Sequence, residues 1–87
     1  RWTLRNAAAY HGNPAKIAVV GESAGGNLAI NTAIKARDTG LPMPLYQGLI
    51  YPVAGVDMNT PSYNENANAK PLNKAMMAWF MRHTIRN

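Results

Sequence analysis

Apolar positions along this chain switch between a helical and an extended rhythm, and the switches mark out the elements. Trp2 to Tyr10 is rich in alanine and reads as a helix, with Gly12 and Pro14 as its stop signals. Lys16–Gly21 is a short apolar run rich in β-branched residues. Its length predicts a strand covered on both faces, as in a parallel sheet. From Ala24 to about Asp38 the rhythm is helical, with Leu28, Ala29, Ala33 and Ile34 on one side and Gly40 and Pro42 ending the run. Leu45–Tyr51 is a second strand candidate, and Pro52 stands where its ladder should stop. Strand, helix, strand at this spacing predicts a parallel βαβ unit with a right-handed crossover.

The pattern changes after the second strand. Gly55–Pro71 is polar and rich in turn residues, and Ser62 to Glu65 matches a helix capping box. A last helix is expected from Asn73, a good N-cap, through Met76, Met77, Phe80 and Met81. The boundary between sheet-forming and helical parts falls near Asp57, dividing the chain into 1–56 and 57–87.

Composition narrows the classes. With 87 residues and 47% apolar, the chain is one small globular segment at most. It opens on Arg1 inside a helical pattern and stops just past another helix, so it reads as an incomplete domain, an internal piece of a longer chain. The absence of cysteine excludes a disulfide framework and thiolate metal sites. No apolar run approaches the roughly 18–20 residues that cross a bilayer. The net charge of +5 comes from single, scattered Lys and Arg, which reads as solvated surface rather than a nucleic-acid footprint.

The chemistry is concentrated in Gly21-Glu22-Ser23-Ala24-Gly25, a G-x-S-x-G motif between a predicted buried strand and a predicted helix. A serine at the apex of so tight a turn must have small neighbours, because the backbones of strand and helix approach each other there. Gly21, Ala24, Gly25 and Gly26 meet that demand. Such a turn lifts the Ser23 hydroxyl toward an activating base and aims the Ala24 N–H at a developing oxyanion, with the helix N-terminus adding to the field. A phosphate loop also joins strand to helix through glycine, but Asn27 and Leu28 stand where a Walker loop needs Lys and Ser or Thr. Glu22-Ser23 likewise interrupts a dinucleotide fingerprint.

With this motif, Gly12–Ala29 resembles the nucleophile region of the hormone-sensitive-lipase-like esterases, the α/β-hydrolase fold-3 group. The resemblance continues through Gln47–Pro52 and Thr60–Glu65 to Leu72, Trp79 and Phe80. It implies an α/β fold: a piece of a three-layer sandwich in the order helix, strand, nucleophile elbow, helix, strand and cap helix. Residues 1–56 would belong to the core and 57–87 to a helical cap, whose Met76 to Met81 stretch could line an acyl pocket. The serine matched by Ser23 is the family's nucleophile, and the residue matched by Ala24 supplies one oxyanion donor. The remaining donors come from an upstream His-Gly-Gly-Gly-type loop, and the acid and histidine from later loops. None of these is found among the 87 residues, so the piece alone is expected to be inactive. The implied substrates are small esters of short to medium acyl chains, and no cofactor is implied. Two alternatives share the scaffold: a non-catalytic small-molecule receptor that keeps the serine but lacks the histidine, and an amidase or deacetylase.

Other chemistry-bearing residues read differently. Ser23, Asp57 and His83 follow the chain order of a hydrolase triad, but His83 falls near the end of a helix, where an imidazolium suits the dipole. In the family resembled, the acid comes later than Asp57. His11 reads as a surface residue in a helix-ending turn, and Glu22 as a hydrogen-bonded or solvated carboxylate. The two histidines and four acids show no ligand spacing for a metal.

Overall fold

The first helix, α1, covers Trp2–Asn6 and tightens into a 3₁₀ turn at Ala7–Tyr10. The computed structural model describes residues 1–85; Arg86 and Asn87, the end of the segment expected as cap, lie outside the described residues. The turn after α1 is closed by His11 rather than by a glycine. At φ 61° it is left-handed, a conformation histidine tolerates better than most residues. Gly12 serves closeness instead, since its N–H reaches the Ala7 carbonyl at 2.8 Å and a Cβ on it would stand 3.1 Å from that oxygen.

Strand β1 is Ala18–Glu22, helix α2 is Ala24–Asp38 and strand β2 is Tyr46–Ile50. β1 and β2 pair in parallel, from Ala18 opposite Tyr46 to Glu22 opposite Ile50, with α2 as the connection. This is the arrangement expected for a βαβ unit.

Two expectations about burial are corrected. The α2 stripe turned to the sheet is Gly26, Ala29, Ala33 and Ala36, at spacings of three and four. Leu28 and Ile34, expected on that stripe, are 67% and 42% exposed. The selecting property is size. The elbow pulls the N-terminus of α2 close onto β1, and only glycine and alanine fit between them. Leu28 and Ile34 instead border an open apolar groove of about 700 Å³, shared with Leu4, Ile17 and Val19. β1 is likewise not covered on both faces. Val19 and Gly21 are half-buried, whereas Val20 is 68% exposed, because among the described residues of this unit α2 covers one side of the sheet.

The chain divides into two compact units, Arg1–Ala54 and a second that starts at Gly55. Within the second, α3 covers Pro61–Glu65 and α4 covers Lys74–Thr84. The capping box expected from Ser62 is displaced. Thr60 is the N-cap, its Oγ1 accepting from the Tyr63 N–H at 3.4 Å, and Ser62 lies inside the helix. Pro61 sets this start, because its fixed φ and missing N–H suit the first helical position. Asn73 caps α4 as expected, its Oδ1 accepting from the Met76 N–H at 3.0 Å. Lys74 Nζ ties the two helices by donating to Asn59 Oδ1 at 3.3 Å and Asn64 Oδ1 at 3.0 Å.

Candidate active site

β1 ends at Glu22 and α2 begins at Ala24, so a single residue, Ser23, makes the turn. Its backbone sits at φ 56°, ψ −116°, the geometry of the first central position of a type II′ turn, where glycine is the usual occupant. Holding a serine there costs on the order of 1–3 kcal/mol and requires restraint by the surroundings.

The restraints are specific. The Ser23 N–H donates to the Ile50 carbonyl at 3.0 Å, extending the β ladder by one residue. The Ser23 carbonyl accepts from the Asn27 and Val53 N–H groups, both at 3.2 Å. Two glycines provide the room. A Cβ on Gly21 would collide with the Gly25 carbonyl, and a Cβ on Gly26 would stand 2.7 Å from Pro52 Cβ. Gly25 is different: a Cβ there meets nothing within 4 Å, so the crowding expected around it is not found.

Ser23 is the N-cap of α2, yet its side chain makes no cap hydrogen bond. Serine at this position ordinarily accepts from an N–H of the first turn. The left-handed backbone turns the side chain away from that donor and leaves the hydroxyl uncommitted in a half-buried position. Among the backbone hydrogen bonds of the described residues, none uses the Ala24 N–H. It is one of the donors that a helix start leaves free, at the positive end of a fifteen-residue helix. A free hydroxyl next to a free, dipole-reinforced N–H is an arrangement suited to acyl transfer.

Glu22 has a partner that the sequence reading did not identify. The Glu22 carboxylate, as an acceptor for the phenol proton and then as a negative charge, holds the pKa of exposed Tyr51 above tyrosine's ordinary 10.0. Ionisation would give up that acceptor and bring a second negative charge near the first. Tyr51 itself has φ 31°, so the segment after β2 carries strained backbone of its own. Asn27 was also missed. Its Nδ2 donates to the Val53 carbonyl at 2.7 Å from a half-buried position. A polar residue one turn after the serine, between Gly26 and Leu28, was the available signal.

The remaining candidates are engaged locally. Asp57 Oδ1 accepts from the Asn59 N–H at 2.8 Å, closing an Asx turn. His83 stacks on Trp79 with ring centroids 4.1 Å apart, and its Nδ1 is 2.8 Å from the Trp79 carbonyl. It stands in the last turn of α4. His11 is exposed at the end of the 3₁₀ turn.

A family profile for the alpha/beta hydrolase fold matches residues 1–87. Carboxylesterase NlhH of Mycobacterium tuberculosis is 44% identical over 85 residues, covering 93% of this chain and 27% of that protein. Esterase LipI of the same species is 39% identical over 82 residues, covering 94% of this chain and 26% of that protein. Among solved structures, one from a study of two fungal esterases of Rhizomucor miehei superposes with a TM-score of 0.88 at 38% identity, over 99% of this chain and 27% of the other. The chain thus spans about a quarter of the length of these relatives.

Proposed function

From the premise that this chain belongs to the alpha/beta hydrolase fold family, we propose that it carries the nucleophile of a carboxylic-ester hydrolase and that Ser23 is that nucleophile. The observation that carries this reading is the one-residue turn. Ser23 is held in a glycine-type conformation that leaves its hydroxyl without a capping bond. A packing turn has no need of that strain, whereas a nucleophile does, since a hydroxyl engaged in capping is not free to attack. Relatives named as a carboxylesterase and an esterase support the choice of substrate class.

In this reading the Ser23 oxygen attacks the ester carbonyl while its proton passes to a histidine supplied by the longer polypeptide. The Ala24 N–H donates to the resulting oxyanion. Collapse of the tetrahedral intermediate expels the alcohol, which takes the proton back from the imidazolium, and leaves an acyl group on Ser23. Water, deprotonated by the same histidine, then releases the acid. One oxyanion donor of this kind is worth about 3–4 kcal/mol of barrier. Short to medium acyl esters are the proposed substrates.

The test uses the intact polypeptide that carries these residues. A fluorophosphonate should label Ser23, and hydrolysis of p-nitrophenyl acetate and butyrate should disappear in Ser23→Ala. Labelling at another residue, or hydrolysis undiminished in Ser23→Ala, would overturn the assignment. A protein that binds esters with no labelling and no turnover would instead be a receptor on this scaffold.

A further inference from the structure

Asn27 sits one helical turn after Ser23 and makes bonds in two directions. Its N–H donates to the Ser23 carbonyl at 3.2 Å, and its side-chain Nδ2 donates to the Val53 carbonyl at 2.7 Å. Val53 in turn donates its own N–H to the Ser23 carbonyl at 3.2 Å. The bonds form a closed clasp through Ser23, Val53 and Asn27. The orientation of the Asn27 amide within it is set by Asn31, whose Nδ2 donates to Asn27 Oδ1 at 3.0 Å and so directs the Asn27 nitrogen toward Val53. The same Asn31 nitrogen is 3.0 Å from the Asn27 carbonyl, which anchors the orienting side chain on the helix.

The clasp acts on one peptide group. The carbonyl of Ser23 and the N–H of Ala24 belong to the same planar, trans unit, so they point in opposite directions and turn together. Drawing the Ser23 carbonyl inward onto two donors therefore aims the Ala24 N–H outward. The Val53 half of this restraint needs holding, because it lies on the segment that carries Tyr51 at φ 31° and Pro52 against Gly26.

We infer that Asn27 is a positioning residue for the oxyanion donor: by gripping Val53 it fixes the plane of the Ser23–Ala24 peptide and hence the direction of the Ala24 N–H. This rests on the nucleophile reading given above. Asn27 touches neither substrate nor the reacting atoms. Its contribution is to the transition state, where charge develops on the oxyanion, rather than to binding of the neutral ester.

The experiment compares Asn27→Asp and Asn31→Ala with wild type and Ser23→Ala in the intact polypeptide, on p-nitrophenyl butyrate. Asn27→Asp keeps the side-chain shape and removes the donor. It should lower kcat roughly 10–100-fold with KM within about twofold, and weaken a boronic-acid transition-state analogue by a similar factor. Asn31 is exposed, so its replacement leaves the fold intact, and its smaller loss of roughly 3–10-fold should also fall on kcat. If both variants keep wild-type kcat, or if kcat loss comes only with a parallel rise in KM and unchanged analogue affinity, the positioning role is wrong. Should Asn27→Asp not fold, unchanged kcat in Asn31→Ala suffices to reject it. Ser23→Ala separates the two layers. If it remains active, the nucleophile reading fails; if it is dead while the Asn variants are normal, only the clasp inference fails.

Discussion

At the scale of single residues, the site is a stability cost accepted at one position and repaid by its neighbours. Ser23 stands where glycine would be relaxed, so Ser23→Gly and Ser23→Ala should separate in stability although both remove the hydroxyl. The alanine variant keeps the strain, and the glycine variant relieves it, so Ser23→Gly is expected to be the more stable by about 1–2 kcal/mol in denaturant unfolding of the intact polypeptide. Equal midpoints would mean that the turn is not strained. Tyr51 gives a second prediction, in the alkaline range. Its phenol is raised above 10.0 by Glu22. Well below pH 10 both folded and unfolded states keep the phenol protonated, and the contribution of the Glu22 interaction is whole. As the pH climbs, the unfolded state ionises first, and the contribution is lost through the raised folded pKa. A phenolate absorbance titration should therefore show the highest tyrosine inflection moving down toward 10 in Glu22→Gln and disappearing in Tyr51→Phe. An unchanged curve in Glu22→Gln would remove Glu22 as the cause.

At the scale of elements, the controlling quantity is the distance between α2 and the sheet. Ala33 is 3% exposed in the middle of the α2 stripe. Ala33→Leu should cost about 1–3 kcal/mol by overpacking, whereas leucine placed at exposed Lys35, a side chain of similar volume, should be nearly neutral. A thermal-shift comparison of Ala33→Leu with Lys35→Leu in the intact polypeptide checks it, and equal shifts would contradict the close packing. The sequence showed the existence and order of these elements, because a fifteen-residue helical rhythm and two β-rich runs leave few alternatives. It also showed the Asn73 cap of α4, a local interaction between Oδ1 and an N–H three residues on. It misassigned the buried face of α2, because hydrophobicity pointed to Leu28 and Ile34 while steric closeness selected Gly26 and Ala36. The Thr60 cap was missed for a related reason: two hydroxyl residues competed, and Pro61 decided between them. At the candidate site, Ser23, Ala24 and the glycines were named from a contiguous motif. Asn27 and Tyr51 were not, since their partners Val53 and Glu22 lie 26 and 29 positions away, and periodicity carries no such information.

At the scale of the whole molecule, the exposed apolar surface outweighs the buried core. Among the described residues the buried apolar side chains are Ala29, Ala33 and Ala36, whereas Val20, Leu28, Tyr46, Leu49 and Ile50 are exposed around the sheet and its helix. Alanine burial removes little apolar area per residue, and at roughly 25 cal/mol per Å² three such side chains cannot offset the ordering of a βαβ unit. Both the open groove beside α2 and the uncovered face of the sheet are surfaces that a soluble monomer of this size rarely presents. The 87 residues expressed alone should therefore bind an apolar dye such as ANS strongly, unfold without a sharp transition and tend to self-associate. They should also fail to hydrolyse p-nitrophenyl acetate, since Asp57 and His83 are both committed to local bonds. The two readouts test different things. Cooperative unfolding with little dye binding would show that the small-residue interface is a sufficient core. Turnover that vanishes in both Ser23→Ala and His83→Ala would instead mean that the catalytic histidine lies within these residues.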